Sequence, residues 1–232
     1  MKYELVKLEP LKNDTTFNQT IDVFERASIY FPNVVRMWVG LNDIDNNYLE
    51  FSAARNGVYN DYGYHKGTRT FASTCVGSAD KLRLVILVAQ GINKNQIIYT
   101  DLKSHLPHTN IYNVSFERSC RIEYKNQYHH FVSGTASIDK NGDVLHLGDV
   151  VGQVRRLWEV IGGLLHAQCA GLNDIIFIGC YIRNENDIDI VKNEIESMGF
   201  INPSIDICYN HAEICRKDWL VECECFAVTY KS

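Results

Sequence analysis

The sequence carries no surplus of positive charge. Its 232 residues hold 23 Lys and Arg against 28 Asp and Glu, a formal net charge of −5. Proteins that grip nucleic acid use a basic surface to neutralise phosphates, so no nucleic-acid partner is expected. No apolar run approaches the ~20 residues that a membrane-spanning helix needs, so no membrane partner is expected either. The opening stretch Met1-Lys2-Tyr3-Glu4-Leu5-Val6-Lys7 lacks the apolar centre and small-residue cleavage site of a secretory leader. A cytoplasmic location follows as the expectation. There is no Gly-rich phosphate loop, His-Glu-x-x-His or Gly-x-Ser-x-Gly, so nucleotide-dependent and serine-hydrolase mechanisms are unsupported. Nor is there a short-period repeat, which removes solenoids and propellers.

What is present fits a globular chain: 46% apolar and 22% charged residues, close to the average for folded domains. Eight cysteines stand at 75, 120, 169, 180, 208, 215, 223 and 225. Several lie inside apolar strand-like runs, so reduced, buried thiols are expected rather than a disulfide framework. Charge is uneven along the chain. Residues 1–116 carry 12 basic and 11 acidic groups, +1, whereas residues 117–232 carry 11 and 17, −6.

Periodicity predicts strands over residues 3–8, 34–41, 70–76, 82–89 and 96–100, and a helix over 45–62 with Asp45 as its N-cap. Arg36 is expected on the polar face of its strand. Residues 101–113, with Pro107 and no clear period, read as a linker. Beyond it come a strand over 128–138, an Asn-Gly turn at Asn141-Gly142, and a helix capped by Asp149 that runs to about Cys169. A strand over 174–182, a helix over 184–198 closed by Gly199, and strands over 204–209 and 219–230 follow. The second half reads β-turn-β-α-β-α-β-β and the first a looser β-α-β-β-β. An α+β fold is expected, a mixed β-sheet packed against helices and repeated as two tandem domains. They would cover residues 1–113 and 114–232.

Chemistry concentrates in the second half. In Leu220-Val221-Glu222-Cys223-Glu224-Cys225, strand alternation puts the two glutamates on one face and the two cysteines on the other. Cys-x-Cys without a second pair at ligand spacing reads as buried thiols, not as a metal site, and His129-His130 is the one local histidine cluster. The glutamates are solvated edge carboxylates, line a cleft or face a subunit interface. In a cleft, desolvation would raise a carboxyl group's pKa and suit it to donate a proton near neutral pH. Cys215 reads as a structural thiol or a nucleophile, and Arg216 as a surface ion pair or a carboxylate fork. Ser133-Gly134-Thr135 interrupts a strand with small polar residues, the mark of a bulge or a close approach. Arg118 and Arg55 are further anion contacts by residue type.

Together these residues resemble the YjgF/RidA superfamily. The resemblance lies in Phe131-Val132-Ser133-Gly134-Thr135-Ala136-Ser137-Ile138-Asp139, in Gly148-Asp149-Val150-Val151-Gly152-Gln153 and in the acidic last strand. Within it the chain resembles the chorismatase branch. The residues are Ser115-Phe116-Glu117-Arg118, Cys215-Arg216-Lys217-Asp218-Trp219-Leu220-Val221-Glu222-Cys223-Glu224 and, in the first half, Arg36-Met37-Trp38 and the helix from Tyr48 to Arg55. The resemblance implies two tandem YjgF/RidA-like (chorismate mutase-like) domains, the first degenerate and the second holding the site. It implies removal of the enolpyruvyl group of chorismate as pyruvate, giving 3-hydroxybenzoate or a dihydroxycyclohexadiene carboxylate. Glu222 and Cys215 would be catalytic, with Cys215 matching the 3-hydroxybenzoate-forming type. Arg216, Arg118, Ser133, Gly134, Thr135 and Glu224 would bind substrate. No metal or organic cofactor is implied, and the partner is a small-molecule carboxylate. The superfamily also implies a homotrimer or a pseudo-trimeric assembly. A non-catalytic metabolite binder and an imine deaminase are the alternatives. The stretch Pro203-Ser204-Ile205-Asp206 lacks the arginine of the deaminase subgroup.

Overall fold

In the computed structural model, residues 1–65, 68–92, 94–100 and 115–231 are described. The expected linker, residues 101–113, and the expected domain boundary at 113/114 fall outside the described residues. Among the described residues, apolar runs and alternating stretches form ten strands: β1 (Lys2–Leu8), β2 (Val34–Leu41), β3 (Ala72–Gly77), β4 (Arg83–Gln90), β5 (Ile97–Tyr99), β6 (Ser119–Tyr124), β7 (Gln127–Ala136), β8 (Ile175–Ile182), β9 (Asp206–His211) and β10 (Val221–Tyr230). Four α-helices accompany them among the described residues: α1 (Thr16–Ala27), α2 (Ile44–Asp61), α3 (Val150–His166) and α4 (Ile188–Ser197). None of the described helices is long and apolar enough to cross a membrane.

The strands make two mixed sheets, ordered β1-β4-β2-β3 and β5-β6-β7-β10-β8-β9. The halves share one topology. β1-α1-β2-α2-β3-β4 and β7-α3-β8-α4-β9-β10 are both β-α-β-α-β-β. In each, the last strand inserts between the first and second, and the second and third pair in parallel. The chain therefore folds as two copies of one α+β unit, and the second copy is widened by β5 and β6.

Four readings of the sequence need correction. The first half is a full β-α-β-α-β-β unit, because α1 exists. Its Thr20, Val23, Phe24 and Ala27 are buried at helical spacing, and Thr15 caps it by accepting from the Asn18 amide at 3.2 Å. β6 is also a strand. Cys120 and Ile122 point into a core while Arg121 and Glu123 do not, and it folds back on β7 through a turn with Lys125 at φ 51°. The residue before α2 is Asp43, not Asp45; Asp45 instead pairs with Arg183 at 3.1 Å. Arg36 is not on a polar face but 2% exposed. Asp149 does cap α3, accepting from the Gly152 amide at 2.9 Å, and Gly199 closes α4 at φ 78°. All eight cysteines are free; Cys169 and Cys208 are exposed and the others lie inside.

The halves join where the edge strand β3 lies along the second half. The Glu117 amide donates to the Phe71 carbonyl at 3.0 Å and the Gly77 amide to the Glu213 carbonyl at 2.7 Å. The Ser73 amide donates to Ser133 Oγ at 3.1 Å, and the Gly134 amide to Thr74 Oγ1 at 2.9 Å. An exposed strand edge invites aggregation; here the other half covers it. The seam is tight at Gly77, where an added Cβ would sit 2.8 Å from the Glu213 Cβ. Gly77→Ala should therefore lower stability by about 1–3 kcal/mol through overpacking. Gly57, on the exposed side of α2 with nothing within 4 Å of an added Cβ, gives the opposite expectation. Gly57→Ala should raise stability by about 0.5–1 kcal/mol. Urea unfolding of both variants checks the pair of signs.

Candidate active site

The seam encloses a cavity of about 60 Å³. Glu222 reaches it from the second position of β10, 5% exposed, between Ala136 of β7 and Tyr181 of β8. Its carboxyl group lies over Gly134, where an added Cβ would stand 1.8 Å from Glu222 Oε1. The sequence signal for Gly134 is thereby explained. β7 carries Ser133 and Gly134 opposite the single residue Glu224, a β-bulge, and the glycine lets the carboxyl group lie against the backbone.

Burial in this cavity, and then the charge of Glu224, push the Glu222 pKa up to about 8, against the opposing pull of Arg36 and Arg118. At neutral pH the group is mostly a neutral carboxylic acid. Cys215 and Cys75 also line the cavity. Both show surface to it, yet protein shields them from bulk water. Burial pushes the Cys75 thiol up to about 12. Burial and the neighbouring Glu222 hold Cys215 well above the ordinary thiol range. Cys215 is a thiol at neutral pH, and a nucleophile would need the thiolate.

Three guanidinium groups line the same cavity. Arg118 lies under the second half, 4.9 Å over the Phe116 ring. Arg216 donates to the Gly142 carbonyl at 2.7 Å and lies 4.9 Å over Trp219. Arg55 comes from α2 of the first half. It is 4% exposed and rests 5.1 Å over Phe51 and 5.8 Å over Tyr59. Its one hydrogen bond is a long contact of 3.4 Å to Asn56 Oδ1, and its Nε has none. Among the described residues no carboxylate pairs with it. A buried guanidinium without an anion is costly, and a bidentate carboxylate is the ligand its geometry fits.

Of the residues singled out in the sequence, Glu222, Cys215, Arg216, Arg118 and Gly134 converge on this cavity. Ser133, Thr135 and Glu224 are not among its lining. Ser133 Oγ donates to the Glu117 carbonyl at 2.5 Å while accepting from β3, which makes it a clasp between the halves. Thr135 Oγ1 donates to the Ser133 carbonyl at 2.9 Å. Glu224 pairs with Arg36 at 2.5 Å. Sequence reasoning missed Tyr48 and Cys75 as lining residues. Cys75 sits in a strand whose apolar pattern hides a site. Arg55 carried a signal, a charge on the otherwise buried stripe Phe51, Ala54, Val58 and Tyr59 of α2. Among the described residues no group of three or more His, Cys, Asp or Glu could hold a metal ion.

The duplicated unit, with its pocket at the join, defines a tandem α+β protein. More particularly, its fold is that of a chorismatase. A chorismatase crystal structure superposes with a TM-score of 0.81 over 97% of this chain and 74% of that one, at 20% identity. No family model matches the chain. In sequence, the chain is 39% identical over 103 residues to the 3-hydroxybenzoate synthase of Streptomyces hygroscopicus, covering 40% of this chain and 29% of the synthase. It is 35% identical over 62 residues to the 3-aminoacrylate deaminase RutC of Acinetobacter baylyi, covering 27% of this chain and 49% of the deaminase. The chain thus spans less than half the length of either curated relative. The likeness in fold is thus to a chorismatase, and the likeness in sequence is partial.

A buried acid makes stability depend on pH. The folded-state pKa of Glu222, about 8, lies above the ordinary value of ~4.3. The folded state therefore binds the proton more tightly. The stabilisation is full below the ordinary value and is lost as pH rises from there through about 8. Glu222→Gln cannot ionise. It should unfold at the same temperature as the wild type at pH 4 and at a higher one at pH 9. The gap should be on the order of a few kcal/mol, at about 1.4 kcal/mol per pKa unit. Calorimetric melting at the two pH values checks this.

Proposed function

We propose that the protein removes the enolpyruvyl group of chorismate as pyruvate, with Glu222 as general acid. The observation that carries this is the pairing of a buried, proton-holding carboxylic acid with three guanidinium groups around one enclosed cavity. An enol ether is cleaved by protonation at its terminal methylene carbon, which leaves an oxocarbenium ion. Glu222 supplies that proton. Water then adds to the cationic carbon, and the hemiketal collapses to pyruvate and a dihydroxycyclohexadiene carboxylate. Alternatively, pyruvate leaves without net uptake of water and the ring aromatises to 3-hydroxybenzoate. Chorismate is a dianion, and Arg55, Arg118 and Arg216 supply the opposing charge. The chorismatase fold and the partial likeness to a 3-hydroxybenzoate synthase support this substrate class. Cys215 fits the aromatising type as a neutral thiol lining the wall.

A second reading, a small-metabolite binder without turnover, is favoured by one observation. The enclosed volume of about 60 Å³ is small beside the ~300 Å³ at which ligand pockets begin.

Incubation with chorismate separates the two, with pyruvate followed through lactate dehydrogenase and hydroxybenzoates by chromatography. The wild type should release pyruvate at least ~100-fold faster than Glu222→Gln. Its kcat/KM should fall as pH rises through about 8, where the acid loses its proton. Arg55→Met should raise KM ~10-fold or more with a smaller loss in kcat, as for a group that binds ground and transition states alike. No pyruvate above the Glu222→Gln level, together with a melting shift on adding chorismate, would select the binder.

A further inference from the structure

β10 carries two carboxyl groups two residues apart on one face, and the structure treats them in opposite ways. Four donors converge on Glu224, which is 4% exposed. Arg36 Nη2 approaches Oε2 at 2.5 Å, Trp38 Nε1 donates to Oε1 at 2.8 Å and Tyr181 OH to Oε1 at 3.2 Å. The fourth is Thr74. Its hydroxyl accepts from the Gly134 amide and from Arg36 Nη2. Both lone pairs are then used, and its one hydrogen is left for Glu224 Oε2. Every acceptor position is occupied, and a proton on Glu224 would displace a donor. Among the described residues, nothing donates a hydrogen bond to Glu222. An anion there would be buried without a single hydrogen bond.

We propose that Glu224 is a positioning residue for the proton on Glu222: as a fixed negative charge along the strand it offsets the pull of Arg36, so that burial can keep Glu222 in its acid form. Two carboxyl groups whose surroundings divide them into anion and acid are the pattern by which acid catalysts are set. This rests on the reading of Glu222 as general acid and goes further. Three of the four donors, Arg36, Trp38 and Thr74, belong to the first half, so the docking of that half sets the charge state of an acid in the second. The charged and titratable groups facing Glu222 are Glu224 on its own strand, Arg36 of β2, Arg118 before β6, Cys75 of β3, Cys215 before β10 and Tyr181 of β8, with Arg55 and Tyr48 of α2, the latter also held neutral by burial, and Arg216 before β10 on the other walls of the cavity. Arg36 and Arg118 favour the anion; Glu224 opposes them. The thiols and the phenol are neutral over the range in question, held up by burial.

The test is a carbon-13 NMR titration of the full chain labelled at the glutamate carboxyl carbons, with Glu222→Gln and Glu224→Gln used to assign the two signals. In the wild type, Glu224 should keep its carboxylate shift throughout the range in which Glu222 titrates. In Glu224→Gln the midpoint of Glu222 should fall by about one unit or more, because the opposing charge is gone and Arg36 remains. In Arg36→Met/Glu224→Gln, where both charges are gone, it should return to within about half a unit of the wild type. A purely structural role for Glu224 would not produce that recovery. An unmoved or raised midpoint in Glu224→Gln overturns the proposal, as does Glu224 taking up its proton together with Glu222 in the wild type. The wild-type measurement decides even if the single variant fails to fold. None of these readings needs turnover. An intact titration with no pyruvate from chorismate would sink the enzymatic reading alone, and an active enzyme with an unmoved midpoint would sink only this one.

Discussion

A buried ion pair, Arg36 of β2 with Glu224 of β10, joins the two halves across the seam. Removing one partner of such a pair strands the other charge away from water, at a cost of about 3–5 kcal/mol. The pair therefore constrains the register in which the first sheet sits on the second. Thr74 and Gly134 tie the same point to β3 and β7, and the bulge at Ser133 and Gly134 follows from it. At Gly134 the strand must accommodate both a threonine from the other half and the Glu222 carboxyl group, which would each crowd an added Cβ. One electrostatic contact thus fixes the floor of the cavity and the position of its acid.

The cavity itself is a property of the duplication. Each half alone would leave one wall open: α2 and β3 supply Tyr48, Arg55 and Cys75, and the second half supplies the acid and the remaining cations. The second half is strongly acidic, −6 against +1 for the first. A site for an anion inside it needs its positive groups gathered at one place. Arg118 and Arg216 are gathered there from the second half, and Arg55 is added from the first. The charge imbalance along the chain therefore describes the outer surface and says little about the ligand.

Much of this was legible in the sequence because it rests on local patterns. The i, i+2 glutamates of an alternating strand, the glycine inside a strand and the Asp149 cap each report a geometry set by their neighbours. The chorismatase-like segments single out Glu222, Cys215, Arg118 and Arg216, which the fold brings to one cavity. What failed was information carried by the partner half. Arg36 reads as a polar-face residue because nothing near it in sequence reveals Glu224, 188 residues away. Ser133, Thr135 and Glu224 have the residue types of a binding site, yet their partners are backbone groups and a buried arginine. The helix α1 is a different failure. Its stripe of Thr20, Val23, Phe24 and Ala27 keeps helical spacing, but Thr and Asn are weak helix formers, and packing against α2 supplies what propensity does not.

The two copies of the unit have diverged in what their last strands carry. β10 and β4 occupy equivalent places, each inserted between the first and second strands of its sheet. β4 reads Arg83-Leu84-Val85-Ile86-Leu87-Val88 and bears no acid, whereas β10 bears two. The first copy instead places its chemistry on β2, where Arg36 and Trp38 face Glu224, and on β3, where Thr74 and Cys75 face the bulge and the cavity. A duplicated fold would have allowed two sites. The seam residues form a cavity shared across the join, and in the proposed reaction the first half sets electrostatics and anion binding while the second supplies the proton. In that reading the join is indispensable to the chemistry. It accounts for a seam stitched by backbone hydrogen bonds, a side-chain clasp and a buried ion pair, where a loosely packed interface would let the two carboxyl groups of β10 relax to the same state.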